Sequence, residues 1–225
     1  MSENPNRQEF DDINNNIDNE VADEEISSKN VFTMSPVFKE IISWVVCLVI
    51  ALAAAFVIRT WFFTVVKVEG QSMYPTLHDD ERLITRIIGY TPKRSDIVIF
   101  HPKSNPKTAY VKRVIAVEGD RIKIDVTNGD VLLNKKGSDE WVILQEDYIA
   151  EKINPVTLGG AHPDLINPMG EGLLIEEDHI FVMGDNRNNS KDSRDELSVG
   201  QVHVDSVIGK ATLRWWPLSR IGLVD

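Results

Sequence analysis

Residues 41–67 read IISWVVCLVIALAAAFVIRTWFFTVVK, and a change of period inside this stretch decides the fold. Residues 41–58 carry no charged side chain. As a helix they span roughly 27 Å at about 1.5 Å of rise per residue, close to the thickness of a bilayer core. Trp61, Phe62 and Phe63 follow directly and suit the aromatic belt at a membrane–water interface. A core helix of a soluble protein is seldom uncharged all round for so long. A cleaved signal peptide has a shorter apolar core, nearer the start of the chain, behind a basic rather than an acidic flank. Residues 36–63 are therefore expected to form a permanent membrane anchor. Lys29 and Lys39 precede it while Arg59 and Lys67 follow, so charge bias leaves its orientation open.

From Thr64 onward the helical pattern gives way to period two. VVKVEG, ERLITRIIGY, DIVIFHP, AYVKRVIAVEGD, RIKIDVTNGDVLLN, HIFVMGDN and VIGKATLRWW read as strands, rich in Val and Ile and broken by Gly, Asn, Asp and Pro. Asn128-Gly129 is a hairpin signal between IKIDV and VLLN. No convincing helix-period stretch follows residue 64, so residues 64–225 are expected to form a mainly antiparallel β-domain. Residues 137–177 are less regular, with Pro155, Pro163, Pro168 and Gly159-Gly160, and read as a surface excursion. Upstream of the anchor, residues 1–35 hold nine acids against Arg7 and Lys29, most of the chain's net charge of -11. With few large apolar residues to bury, they are expected to be a disordered acidic tail. The charge argues against nucleic acid as the main partner, and the single Cys47 excludes a disulfide framework.

Chemistry has to be sought in the loops. Val68–Leu77, VEGQSMYPTL, places Ser72 in a Gly- and Pro-marked turn, which alone describes a turn and nothing more. None of the five histidines stands at metal-ligand spacing, and neither a glycine-rich phosphate loop nor a G-x-S-x-G elbow is present. Ser104–Lys107 matches S-x-x-K by letters, but Pro106 and its turn neighbours deny it the helix that pattern needs. In Tyr110–Asp120, strict alternation points Lys112 with Val114 and Ala116, and Arg113 with Ile115 and Val117. One of the two cations must share a face with apolar neighbours. A lysine so placed has its charged form disfavoured, whereas an edge-strand lysine keeps its head in water. Gly184–Asp195, GDNRNNSKDSRD, alternates acids with Arg and Lys, and reads as a self-bonded polar loop rather than a linker.

Taken in order, GQSMYPTL (70–77), RSDIVIF (94–100), YVKRVIAVEGD (110–120), GDNRNNSKDSR (184–194) and RWWPLSRIG (214–222) resemble the bacterial type I signal peptidases, membrane-bound Ser/Lys proteases. The resemblance implies an antiparallel β-sheet catalytic domain of signal-peptidase type, with Ser72 as nucleophile and Lys112 as general base. It gives Ser190 the task of orienting the lysine, and Asp185, Asp192 and Arg194 that of holding the loop. Met73 and the nearby bilayer would help to exclude water. The oxyanion would be met by backbone at Ser72 and Gly70. Some relatives carry a serine two residues before the nucleophile; Gly70 stands there in this chain, as in the Gram-positive branch. The implied substrates are exported preproteins, cleaved after small residues at the end of the signal peptide, with no cofactor and no metal. The implied location is the bacterial plasma membrane, single-pass, with the N-terminus inside and the catalytic domain outside. The chemistry is coherent, since a free lysine of pKa about 10.4 becomes a base at neutral pH only when desolvated.

Two other readings fit parts of the chain. Self-cleaving Ser/Lys repressors of the bacterial DNA-damage response share this β-fold, but they are soluble and carry a DNA-binding module. A membrane-tethered binding domain would leave Ser72 and Lys112 as ordinary surface residues.

Overall fold

The computed structural model describes residues 35–224, so the expected acidic tail falls, but for Ser35, outside the described residues. So do the side chains of Trp61 and Phe62, two of the three expected interfacial aromatics. Helix α1 runs Pro36–Phe62. Ser35 caps it, its Oγ accepting from the Phe38 N–H at 3.4 Å, and Pro36 supplies a residue with no N–H to satisfy at the first position. Its stretch Pro36–Val57 is long and apolar enough to cross a membrane. The chain divides between Ala53 and Ala54 into two compact units.

The second unit carries twelve strands: β1 (Phe63–Lys67), β2 (Arg82–Arg86), β3 (Ile97–Phe100), β4 (Tyr110–Val117), β5 (Arg121–Ile124), β6 (Val131–Asn134), β7 (Trp141–Ile143), β8 (Leu173–Leu174), β9 (His179–Met183), β10 (Val202–His203), β11 (Val207–Trp216) and β12 (Gly222–Leu223). Every pairing is antiparallel. The larger sheet has the order β1-β2-β11-β3-β4-β9-β10, with β12 on β11, and the smaller has the order β7-β6-β5-β8. β11 enters late in the chain yet lies between β2 and β3, joining two early parts of the sheet.

β4 is central in the larger sheet, and both of its faces are closed by packing. Ile115, Ala116, Phe181 and Met183 pack with Ile122, Ile124 and Val131 of the smaller sheet; Val98, Phe100, Val114 and Val182 form a second cluster on the other side. A third holds Val68, Met73, Leu77, Leu83 and Ile97. This is why alternation misjudged β4: neither face meets water, so Lys112 and Arg113 are both buried, at 4% and 3% exposure.

The reading of 137–177 as a surface excursion needs correction. Residues from this segment supply β7 and β8, the two outer strands of the smaller sheet, together with a 3-10 turn (Pro155–Leu158) and the short α2 (Pro163–Ile166). Ile153, Leu158, Leu165, Leu173 and Ile175 are buried in the first core cluster. Prolines and glycines mark its bends, while its apolar runs, WVIL (141–144) and LLI (173–175), are too short to show a period.

Candidate active site

The Ser72 turn is pinned from beneath. Met73 and Leu77, both buried, enter the core, and the Leu77 N–H closes onto the Met73 carbonyl at 2.9 Å. That leaves Ser72, part-exposed, at the rim of a cleft of about 490 Å³. One wall is Val66, Val68 and Glu69, and the other is Ala109, Tyr110 and Val111. Among the described residues, the backbone edges beside the cleft are free: β1 pairs only with β2, and β4 meets β9 only from Arg113 onward.

Lys112 extends from β4 to place Nζ 2.7 Å from Ser72 Oγ, and it also donates to the Val111 carbonyl at 2.8 Å. Burial drives its pKa down from 10.5 to about 8, because the ammonium loses water that these two contacts do not replace. The charges of Asp192 and Asp185 oppose the shift, while Arg194 adds to it.

The loop after β9 is tied to this dyad at several points. Asp185, fully buried, receives both arms of Arg113 at 2.9 Å each and the Thr76 hydroxyl at 2.6 Å. The Asn186 N–H donates to the Ser72 carbonyl at 3.0 Å, and its side chain reaches the Gln71 carbonyl at 3.1 Å. Asp192 takes Arg194 Nε and Nη2 at 2.8 Å each and the Gly184 N–H at 2.9 Å. Burial raises the Asp192 pKa, but Arg194 and the Gly184 N–H outweigh it, so the carboxylate stays ionised. Gly184 has no room for a side chain, since a Cβ there would strike Ser190 Oγ and the Ser72 carbonyl.

Two expectations meet a different arrangement. The Gly70 N–H, expected to serve the oxyanion, already donates to Asp79 Oδ1 at 2.8 Å. Gly70 sits at φ +84°, a left-handed conformation that suits glycine, and that aims its N–H at the aspartate. The Ser72 N–H has no acceptor among the described residues and remains the available donor. Ser190 does not hydrogen-bond Lys112. Its buried Oγ lies beside Asp192, close enough to favour the ionised carboxylate but without the geometry of a full hydrogen bond. The missing side chain of Gly184 leaves it that room.

A further layer has no local signal in the residues. Arg187 is fully buried, donating to the Gly184 carbonyl at 3.1 Å and to both oxygens of Glu146, at 2.8 and 2.5 Å. Tyr148 lies with its ring 4.0 Å from the Arg113 guanidinium and 5.9 Å from that of Arg187. Asn188 donates to the Lys152 carbonyl and accepts the Asn154 N–H. Arg187 belongs to a quoted motif, but its partners lie in the irregular segment, 39 to 41 residues upstream. Among the described residues, no group of three or more His, Cys, Asp or Glu side chains is placed to hold a metal.

The pattern that defines the family "Signal peptidase, peptidase S26" matches residues 41–216. Signal peptidase IB of Staphylococcus aureus is 34% identical over 190 residues, covering 80% of this chain and 92% of its own length. Signal peptidase I P of Bacillus subtilis subsp. natto is 37% identical over 186 residues, with the same coverage. A crystal structure of a signal peptidase I from Enterococcus faecalis is 27% identical, covers 55% of this chain and 98% of that one, and has a TM-score of 0.38, too loose to bear on the fold.

Proposed function

The chain belongs to the signal peptidase family, peptidase S26, serine endopeptidases that remove signal peptides, and from that premise we propose that Ser72 is its nucleophile and Lys112 its general base. The observation that carries the assignment is the 2.7 Å approach of Lys112 Nζ to Ser72 Oγ, by a lysine that burial has made a base. With the amine neutral, the serine hydroxyl donates its proton to Nζ as Oγ attacks the scissile carbonyl. The Ser72 N–H meets the oxyanion. As the tetrahedral adduct collapses, the Lys112 ammonium returns the proton to the departing amine, and an acyl-enzyme forms on Oγ. Lys112, neutral again, then takes a proton from water, which hydrolyses the ester.

The substrate segment runs extended between the free edges of β1 and the start of β4, adding a strand to the sheet. Alternate side chains then face the apolar wall of Val66, Val68, Met73 and Val111, where shallow space favours small residues. The Arg113–Asp185–Thr76 and Arg194–Asp192 bonds hold the loop that supports the dyad, and Ser190 acts through Asp192 rather than on the lysine directly. Residues 36–63 anchor the chain once through the bacterial plasma membrane, with residues 64–225 outside, where exported preproteins emerge. The test is preprotein cleavage by the full chain in detergent: Ser72→Ala and Lys112→Ala should each abolish processing, and wild-type rates from both variants would overturn the assignment.

A further inference from the structure

A second charged cavity in the β-domain shares no lining residue with the cleft. β1 begins at Phe63, one residue after α1 ends. Opposite Phe63 on β2 stands Arg86, and opposite Arg86 on β11 stands Lys210. Directly paired residues point to the same face, with neighbouring strands about 4.8 Å apart. The two cations therefore lie one and two strand spacings from the point where the chain leaves the helix.

Arg86 and Lys210 line a cavity of about 370 Å³ with Lys93, Tyr90 and Asp96. Its charge is unbalanced. Asp96 is fully engaged, by Lys210 Nζ at 2.5 Å, the Tyr90 hydroxyl at 2.8 Å and the Lys93 N–H at 3.0 Å. Among the described residues, the Arg86 side chain reaches only the Ile88 carbonyl, at 3.4 Å, and the Lys93 ammonium has no acceptor. Three cations thus face one already-satisfied anion, in a chain whose net charge is -11. Flanking them are exposed apolar side chains, Phe63 at 44% and Ile88 at 40%.

We propose that this cavity binds the phosphate of an anionic lipid headgroup, with Arg86 and Lys93 as its principal contacts. The inference rests on reading α1 as a membrane anchor. The guanidinium fork and the mobile ammonium suit phosphate oxygens. From Val57, where the spanning stretch ends, five helical residues rise about 7.5 Å to Phe62, the last residue before β1. That distance reaches the polar zone, which occupies roughly 5–8 Å beyond each side of a bilayer core. Phe63 would sit within this polar zone, where aromatic side chains are favoured, beside the cations that hold the headgroup.

The experiment uses the full chain in neutral-detergent micelles doped with phosphatidylglycerol or phosphatidylcholine, with retained lipid counted by native mass spectrometry. One phosphatidylglycerol per chain is expected, with phosphatidylcholine held at least tenfold more weakly. Each of Arg86→Gln and Lys93→Gln should weaken retention roughly fivefold, and the pair roughly thirtyfold. Both side chains are exposed, so the variants should keep the wild-type melting temperature and, in lipid-free micelles, its cleavage rate. Wild-type retention by the double variant would overturn the proposal. So would inorganic phosphate binding as tightly as the lipid, which would make this a free-anion site. Alkaline extraction of membranes reports the anchor separately: release of the chain overturns the anchor reading, whereas unaltered lipid retention by a variant that stays membrane-bound overturns the headgroup site.

Discussion

Arg187 and Glu146 form a closed, two-pronged ion pair with the arginine side chain fully buried and the glutamate 7% exposed, and it joins residues 144–148 to the loop that carries Asp185 and Asp192. Removing one member strands the other's charge in the interior. Glu146→Ala is expected to destabilise the chain by about 3–5 kcal/mol and to lower cleavage with it, read as a fall in melting temperature. Glu146→Ala combined with Arg187→Met should recover much of that loss, because no uncompensated charge remains. Equal melting temperatures for the single and double variants would refute the account.

The acid limb of kcat/KM should report Lys112. Only the neutral amine accepts the serine proton, so the rate should fall about tenfold per pH unit below an apparent pKa of about 8. A limb near 10 would mean that the lysine remains solvated during catalysis. Replacing Asp192 with Asn removes an anion that holds the lysine's proton on, so this limb should move to lower pH.

Desolvating Lys112 also makes stability depend on pH. Its folded pKa, about 8, lies below the unfolded value of 10.5. Between these values the unfolded chain binds the proton and the folded chain does not, so stability rises with pH across that window. Below it the penalty is fully present, about 3 kcal/mol at 1.36 kcal/mol per unit. Lys112→Met should therefore be inactive yet more stable than wild type at pH 6–7, by up to that amount less its two hydrogen bonds. The gain should vanish above pH 10.5. Denaturant titrations at pH 6 and 11 would decide it.

Gly184→Ala tests the contact between the loop and the Ser72 backbone. The added methyl must displace either Ser190 or the Ser72 carbonyl. Overpacking of this kind costs typically about 1–3 kcal/mol. A shift of about 1 Å in the nucleophile costs on the order of 10²-fold in rate. The expected signature is a kcat loss of one to two orders of magnitude with KM little changed, measured on a peptide substrate. A normal kcat would show that the turn absorbs the strain elsewhere.

What the residues alone could reveal follows from the range of the interaction concerned. The seven strand stretches were legible because Val- and Ile-rich period two is a local signal, and Asn128-Gly129 marked the β5–β6 hairpin, although its loop runs from Asp125 to Asp130. β7 and β8, of three and two residues, are too short to show a period. Ser72 and Lys112 were legible only through resemblance, since their 40-residue separation carries no local pattern. Asp79 capturing the Gly70 N–H, and Glu146 meeting Arg187, depend on tertiary placement that no spacing rule anticipates.

The place of β11 between β2 and β3 bears on how the enzyme comes into being. Until residues 207–216 have been synthesised, the β1–β2 hairpin that carries the Ser72 turn has no strand joining it to the β3–β4 hairpin that carries Lys112. Ser72 and Lys112 then belong to separate hairpins, and the long-range pairing that unites them forms late and slowly. The nascent chain is accordingly a latent protease that becomes active only when its last long strand slots into the sheet. Truncation at residue 206 should leave both Ser72 and Lys112 present and cleavage absent.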